Sequence, residues 1–335
     1  MHCKTASGLR MRRIGRTLGR KSALAIGLST LAVGAVAGPA AASAAPTAAA
    51  TPPDASANFT FQTVDNSADL TFNQLLGINN SDTIAGYFGS GLAHHPNKGY
   101  TLHVNYRNEN FPGSAQTQVT GLNNESTTVG FWVDGAGDNF GFYSIGAQHF
   151  KTADYPTDNP AKPVVDQLLG VNDSDVAVGF YTDGKGVNHG YSYNIATHQY
   201  KPIKVSGDTG VTAAAINNLG DVAGSATNAA GVTEGFLEFP TGKVVHLDVP
   251  GATTTVALGV NDGDEVVGDY TVGSGSSATT TGFVWSPGFG FESVNDPNGV
   301  GTTTINGVND RGALVGFYTD STGNTDGLVA YPHES

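Results

Sequence analysis

Apolar residues in this chain come in short runs of branched and aromatic type, alternating with small or polar residues and cut off by Gly, Asn, Asp and Pro. Residues 253–297 show the pattern at its clearest. Positions 253–260 alternate small and branched side chains and run into the turn Asn261-Asp262-Gly263-Asp264. A second run follows at 265–270, a third at 282–285 after a Gly/Ser/Thr loop, and a fourth at 289–294 after Pro287-Gly288. The fourth ends at Asp296-Pro297. Branched and aromatic runs bounded by turn residues predict strands, and no segment shows a convincing helical period.

The same unit recurs along the chain. An Asn is followed seven residues later by a Gly at Asn79/Gly86, Asn123/Gly130, Asn172/Gly179, Asn217/Gly224, Asn261/Gly268 and Asn309/Gly316. Successive Asn residues lie 44, 49, 45, 44 and 48 positions apart. A period of ~40–45 residues built from four short strands is that of a propeller blade. The Asn and the residue after it can cap a turn through side-chain to backbone hydrogen bonds. Three positions after the Asn stand Asp82, Ser126, Asp175, Gly220, Asp264 and Gly312, where a short bulged hairpin demands the left-handed conformation. The Gly seven residues on falls inside the next strand, where it is expected to permit close backbone approach between crowded sheets. The oxygen-rich turns also invite a calcium reading. A calcium loop alternates ligands over about a dozen residues, however, and here a strand begins after four, so hairpin turns are the preferred reading and no cofactor or metal is expected.

The fourth-strand pattern also occurs ahead of the first full repeat, as Phe61-Gln62-Thr63-Val64-Asp65, while the last repeat stops after its third strand. One strand is spare at the start and one is missing at the end. The expected fold is therefore all-β: a six-bladed β-propeller of four-stranded blades over 58–335, its ring closed by the N-terminal strand, which removes two open sheet edges.

The N-terminus changes the picture of compartment and charge. Residues 1–44 hold seven of the 16 Lys and Arg, no acid, an apolar run over 22–36 and the small-residue stretch Ala40-Ala41-Ala42-Ser43-Ala44. Basic, apolar and Ala-x-Ala in that order predict a secretory signal peptide cut after Ala44, with no membrane span, since the run is too short and too rich in Ala and Gly. The stretch 45–57 reads as a disordered tether. The mature chain keeps nine basic residues against 29 acids, a formal charge of −20 in place of −13. So acidic a body repels nucleic acid and anionic lipid, which excludes both as partners. Cys3 is the only cysteine and leaves with the signal, so the secreted protein, expected to be a monomer, holds together without disulfides.

The repeats resemble the probable extracellular repeat family named for its His-Ala-Phe (HAF) tripeptide. The resemblance rests on Gly-Val-Asn-Asp with a downstream Gly, on His189-Gly190-Tyr191, Glu234-Gly235-Phe236 and Thr281-Gly282-Phe283, and on the linker Asp248-Val249-Pro250-Gly251-Ala252. It covers roughly residues 58–332, with the His kept only at His189. It implies secretion and a repeat fold, and supplies no catalytic residues.

Antiparallel strands put the uniform one-two turns at one end and the variable two-three and four-one loops at the other, the end a repeat protein generally uses for binding. There Trp132, Asp134, Tyr181, Asp183, Tyr318 and Asp320 place aromatics beside carboxylates, a pairing that suits a sugar's ring face and hydroxyls. The bland alternative is that the rings pack between blades and the acids are solvated. Catalytic constellations are absent: no Cys nucleophile, no Gly-x-Ser-x-Gly, no His-Glu-x-x-His, no phosphate loop. His94-His95 and His189 could share the rim as metal ligands, but adjacent histidines point to opposite sides, and solvated loop residues are the simpler reading. The expected function is a secreted, non-catalytic propeller binding an extracellular glycan or surface protein. The alternative is a polysaccharide hydrolase or lyase working through paired rim carboxylates.

Overall fold

The computed structural model describes residues 51–146 and 148–333. The expected signal peptide, 1–44, and the start of the tether, 45–50, lie outside the described residues. Among those described there are 24 strands, and no helix is long and apolar enough to cross a membrane.

The fold is all-β, built of four-stranded antiparallel units. An N-terminal strand β1 (Phe59–Thr63) precedes the first unit, β2 (Asn73–Ile78), β3 (Ile84–Phe88), β4 (Lys98–Leu102) and β5 (Tyr106–Asn108). Next come β6 (Gln116–Leu122), β7 (Thr127–Val133), β8 (Asn139–Ile145) and β9 (Phe150–Thr152). The third unit is β10 (Asp166–Val171), β11 (Val176–Thr182), β12 (Asn188–Asn194) and β13 (Gln199–Pro202). Then follow β14 (Thr209–Ile216), β15 (Val222–Thr227), β16 (Thr233–Glu238) and β17 (Val244–Leu247). The fifth run is β18 (Thr254–Val260), β19 (Val266–Val272), β20 (Thr279–Ser286) and β21 (Gly290–Val294). A single parallel bridge, Thr233 to Thr254, joins these last two units. The chain ends in β22 (Thr303–Val308), β23 (Leu314–Thr319) and β24 (Thr325–Pro332), and β1 supplies the fourth strand beside β24, from Phe59 opposite Pro332 to Thr63 opposite Leu328.

Each unit packs face to face on the next, and β2 of the first packs on β22, β23 and β24 of the last. The apolar cores lie between successive sheets. Leu75, Val119, Leu168, Ala213, Ala257 and Ile305, one per repeat, are fully buried on the first strands. Each pairs with the repeat's Gly on the second strand, and a bulge follows at once in the first strand. Across the other side of that Gly stands Tyr100, Phe142, Tyr191, Phe236, Phe283 or Leu328 of the third strand. In four repeats the third-strand ring lies over the missing side chain, and in all six the carbonyl of the residue just before the core position would collide with a Cβ placed on the Gly. The close approach expected of this Gly is thus within its own sheet, against the bulge of the first strand, and not between sheets.

The turn reading is borne out in detail. Asp82, Ser126, Asp175, Gly220, Asp264 and Gly312 all have positive φ, between 54° and 89°. Each repeat Asn accepts at Oδ1 the N–H of the residue four places on, as Thr83 donates to Asn79 at 3.0 Å and Val176 to Asn172 at 3.1 Å. The Asn also does something that a single repeat cannot display. Its Nδ2 donates to the carbonyl of the Asn one repeat ahead: Asn79 to Asn123, Asn123 to Asn172, Asn172 to Asn217, Asn217 to Asn261 and Asn261 to Asn309, at 3.0–3.1 Å. Asn309 then donates to the Asn79 carbonyl at 3.2 Å, so the circuit returns to its start. The residues after the Asn repeat the device, each N–H donating to the next side chain, up to Asp310 to Asn80 at 3.0 Å.

The described part of the expected tether does not hang free. Ala55 donates to the Ser293 carbonyl at 2.9 Å, Ser293 donates to Pro53 at 2.8 Å, and the Asn295 N–H reaches Ser56 Oγ at 2.8 Å. Ala55 is buried in the core beneath β22 and β24. The Ala/Pro composition suggested disorder, but this short piece adds backbone hydrogen bonds to the open edge of β21.

Candidate functional site

The molecule is constricted at the Asn end, where a space of about 90 Å³ lies among the six repeat Asn residues, and wider at the other. At the Asn end the first strands meet in tight layers: Gly121 lies against the Leu169 carbonyl and the Gly170 backbone, and Gly307 against Gly77. Ile78, Leu122, Val171, Ile216, Val260 and Val308 form an apolar collar there. Beyond the collar a cavity of about 480 Å³ opens toward the loop end.

The cavity is off-centre for a reason that can be read residue by residue. Five places before the repeat Asn, the first strands carry Gln74, Gln118, Gln167, Thr212, Val256 and Thr304. Immediately after the repeat Gly, the second strands carry Tyr87, Phe131, Phe180, Ser225, Asp269 and Phe317. Both positions alternate with the core-facing ones and so point the same way. Gln beside an aromatic fills the sectors of the second and third repeats. In the fourth the pair is Thr212/Ser225, which does not reach the cavity, and in the fifth it is Val256/Asp269, beside which the cavity lies. Nine of its fourteen lining residues are threonines, Phe72 and Phe317 supply apolar wall, and Asp269 is the one charged side chain among them.

Asp269 sits in β19 between Val256 and Gly282, neither of which offers it a side-chain donor. Thr304 Oγ1, from the adjacent sheet, donates to its Oδ2 at 3.2 Å. What surface the residue retains faces the cavity. Burial pushes its carboxyl up to about 7, against the smaller downward pull of the Thr304 hydrogen bond. An acid whose pKa is raised in the folded state binds its proton more tightly there than in the unfolded chain. Its contribution to stability is therefore present at low pH and is lost as pH rises from about 4 through about 7. Asp269→Asn is expected to raise the melting temperature at about pH 8 and leave it nearly unchanged near pH 4. The gain should be on the order of 2 kcal/mol, less than the full shift implies because cavity water screens the charge. Thermal melts of both proteins across that range check it; an equal effect at both pH values would mean that Asp269 does not titrate there.

The residues expected from sequence at the loop end occupy packing and turn positions. Trp132 is stacked on Phe111 at 4.6 Å and lies 4.8 Å from Phe140, centroid to centroid. Tyr181 is sandwiched between Tyr155 at 4.5 Å and His189 at 4.9 Å. Tyr318 is buried and hydrogen-bonds Thr63 of β1 at 2.8 Å. Asp134, Asp183 and Asp320 each accept the N–H groups two and four residues ahead, at 2.7–3.0 Å, closing the hairpins between second and third strands. Asn228 does the same in the fourth repeat. Asp183 also takes His189 Nε2 at 3.1 Å, and this bond, helped by the Val187 N–H, holds its carboxyl down at about 2. The six lie in three separate hairpins, and only that of Tyr318 and Asp320 reaches the cavity, through Thr319 and Thr325. His95 pairs with Asp69 at 3.2 Å and His189 with Asp183, so the structure does not bring the histidines together. No group of three or more metal-ligating side chains occurs among the described residues.

Asp166 is a second raised carboxyl, pushed up to about 7 by burial. It accepts the Tyr191 hydroxyl and the Tyr155 N–H, tying the long linker before β10 to its own sheet. Both its oxygens are committed to the fold, whereas Asp269 has one oxygen bonded, by Thr304, and borders the cavity. Sequence reasoning missed Asp269, although the signal was present: an acid in a column that is otherwise aromatic in four of six repeats, inside an expected strand.

No protein-family model and no curated protein matches the sequence. Solved structures do match the fold. A structure assigned as TolB from Agrobacterium tumefaciens aligns with a TM-score of 0.53 at 10% identity, over 79% of this chain and 92% of that one. The SapL1 lectin in complex with alpha methyl fucoside aligns with a TM-score of 0.52 at 9% identity, over 79% and 93%. TolB from Acinetobacter baumannii aligns at 0.46 and 10% identity over 79% of this chain, which spans about half (55%) of that longer one. The first two of these likenesses show a β-propeller fold.

Proposed function

We propose that the chain is a six-bladed β-propeller, closed by its N-terminal strand, that acts outside the cell as a non-catalytic binding module for a saccharide. It is also our reading that it belongs with the probable extracellular repeat proteins, is exported by its basic and apolar N-terminus, and works as a monomer without a cofactor. The Asn circuit that returns to Asn79 and the pairing of β1 with β24 support the six-fold closed ring. The observation that carries the binding reading is the cavity: nine of its fourteen lining residues are threonines, beside two phenylalanines, at the end where the loops vary. Hydroxyls that both donate and accept, beside an apolar face, match the two sides of a pyranose. On the shared fold, the SapL1 lectin holds a methyl fucoside. The rim residues Trp132, Asp134, Tyr181, Asp183, Tyr318 and Asp320 then serve to hold their own hairpins, of which that of Tyr318 and Asp320 borders the cavity.

A hydrolase or lyase would use two carboxylates across the scissile bond. The cavity lining supplies one, which favours binding over catalysis. A glycan array probed with the mature protein tests the reading, together with Asp269→Phe, which copies the aromatic found in this column in the second, third and sixth repeats and fills the cavity. Array signals that this variant loses while Trp132→Ala keeps them support a cavity site. Signals retained by Asp269→Phe and lost in Trp132→Ala or Asp183→Asn would move the site to the rim. No saccharide bound at all would overturn the proposal, as would reducing-end release from a bound glycan.

A further inference from the structure

We infer that the cavity selects a hydroxyl-rich ligand that carries a protonated amine, its ammonium seated on Asp269. This rests on the binding reading above and names the chemistry of the ligand. Asp269 projects one carboxyl into a cavity that contains no cation: the residues contributed by β2, β16, β18, β20, β22, β23 and β24 are Phe, Gln, Thr and Val, none of them titratable. Its only hydrogen bond among the described residues is from Thr304, to one of its two oxygens. An enclosed carboxylate with one neutral donor is costly to ionise, and an alkylammonium entering the cavity would supply what the protein withholds: a full opposite charge and up to three donors. The surrounding threonines cannot provide that charge, but they suit hydroxyls on the same molecule. Phe72, partly exposed, offers the apolar face against which a sugar ring's C–H side can lie, while Phe317 is almost fully buried.

The balance of alternatives follows from the same lining. A neutral sugar would leave Asp269 enclosed and unpaired, or protonated. An acidic ligand would face the carboxyl directly and would find no basic side chain among the lining residues. A divalent metal would find one carboxylate where several oxygen ligands are needed. Burial that keeps the Asp269 carboxyl protonated up to about 7 also makes the preference pH-dependent, since the ammonium prefers the ionised form.

The test is isothermal titration of the secreted full-length protein with 6-amino-6-deoxyglucose and with glucose, at about pH 8 and about pH 5.5. The amino sugar should bind at least about tenfold more tightly than glucose at the higher pH, and this advantage should shrink several-fold at the lower. Asp269→Asn, whose melting temperature verifies that it is folded, should bind the two sugars equally at both. Equal binding of the two sugars by the native protein overturns the inference, as does an advantage that Asp269→Asn retains, or an amino sugar that does not bind at millimolar concentration. If the two sugars bind equally and Asp269→Phe abolishes the binding of both, the cavity reading stands while the amine preference falls.

Discussion

Gly316→Ala is expected to destabilise the protein by about 4 kcal/mol or more, to the point of lost expression, while Gly135→Ala changes its stability by less than about 1 kcal/mol. At Gly316 an added methyl would overlap the Thr304 carbonyl oxygen, with Thr304 and Ile305 backbone atoms on either side. All of these belong to the bulged first strand β22, so none can turn aside as a side chain would. The same clash with the first-strand carbonyl recurs at Gly86, Gly130, Gly179, Gly224 and Gly268. In four of these repeats the methyl would also meet the aromatic of the third strand, Tyr100, Phe142, Phe236 or Phe283. To make room, the sheet would have to open at the bulge, which carries the repeat Asn into its circuit three or four residues later. Gly135 has nothing within 4 Å of its added methyl and no left-handed backbone. Urea midpoints for the two variants separate the effects. A Gly316→Ala protein melting within a few degrees of the native one would show that the sheet relaxes freely and that the glycine column is not a packing requirement.

This column was visible in the sequence, and so was most of the fold. The strands expected at 253–260, 265–270, 282–285 and 289–294 appear as Thr254–Val260, Val266–Val272, Thr279–Ser286 and Gly290–Val294. Turn chemistry and alternation are local, and both act within a few residues, so a single repeat displays them. What the Asn side chain does with its Nδ2 was not legible, because its partner is a whole repeat away and the direction of the bond depends on how sheets stack. The rim aromatics failed to announce their role for a similar reason. Trp132 beside Asp134 looks like a sugar platform until Phe111, 21 residues earlier and in the linker leading into the same sheet, is seen to cover its face. Asp269 is the converse. Its chemistry depends on what is missing around it, and only a comparison down the column, Tyr87, Phe131, Phe180, Ser225, Asp269, Phe317, reveals that an aromatic has been exchanged for an acid.

Removing residues 51–66 should lower stability far more than removing 51–56, though the shorter deletion should also cost measurable stability. The longer one takes away β1 and all five of its register pairs with β24. Phe59 and Phe61 leave the core around Leu314 and Leu328, and Val64 leaves the one around Leu75 and Val315. Thr63 leaves the Tyr318 hydroxyl, and Asp65 leaves the Gly327 N–H that it accepts at 3.0 Å. The β24 edge is then open to solvent and to other chains, so the loss should come with concentration-dependent association. The shorter deletion removes the backbone bonds between Pro53, Ala55 and Ser293 and the buried Ala55 methyl, and leaves β1 in place. A loss on the order of 1–3 kcal/mol is expected for it, from a few hydrogen bonds and one small side chain. For the longer one the loss should approach the whole stability of the domain. Thermal melts and sedimentation of the two truncated proteins decide the matter. If both melt together and both stay monomeric, the seam between β1 and β24 adds nothing to the ring, and the circuit of Asn side chains at its other end is sufficient to hold the first repeat against the last.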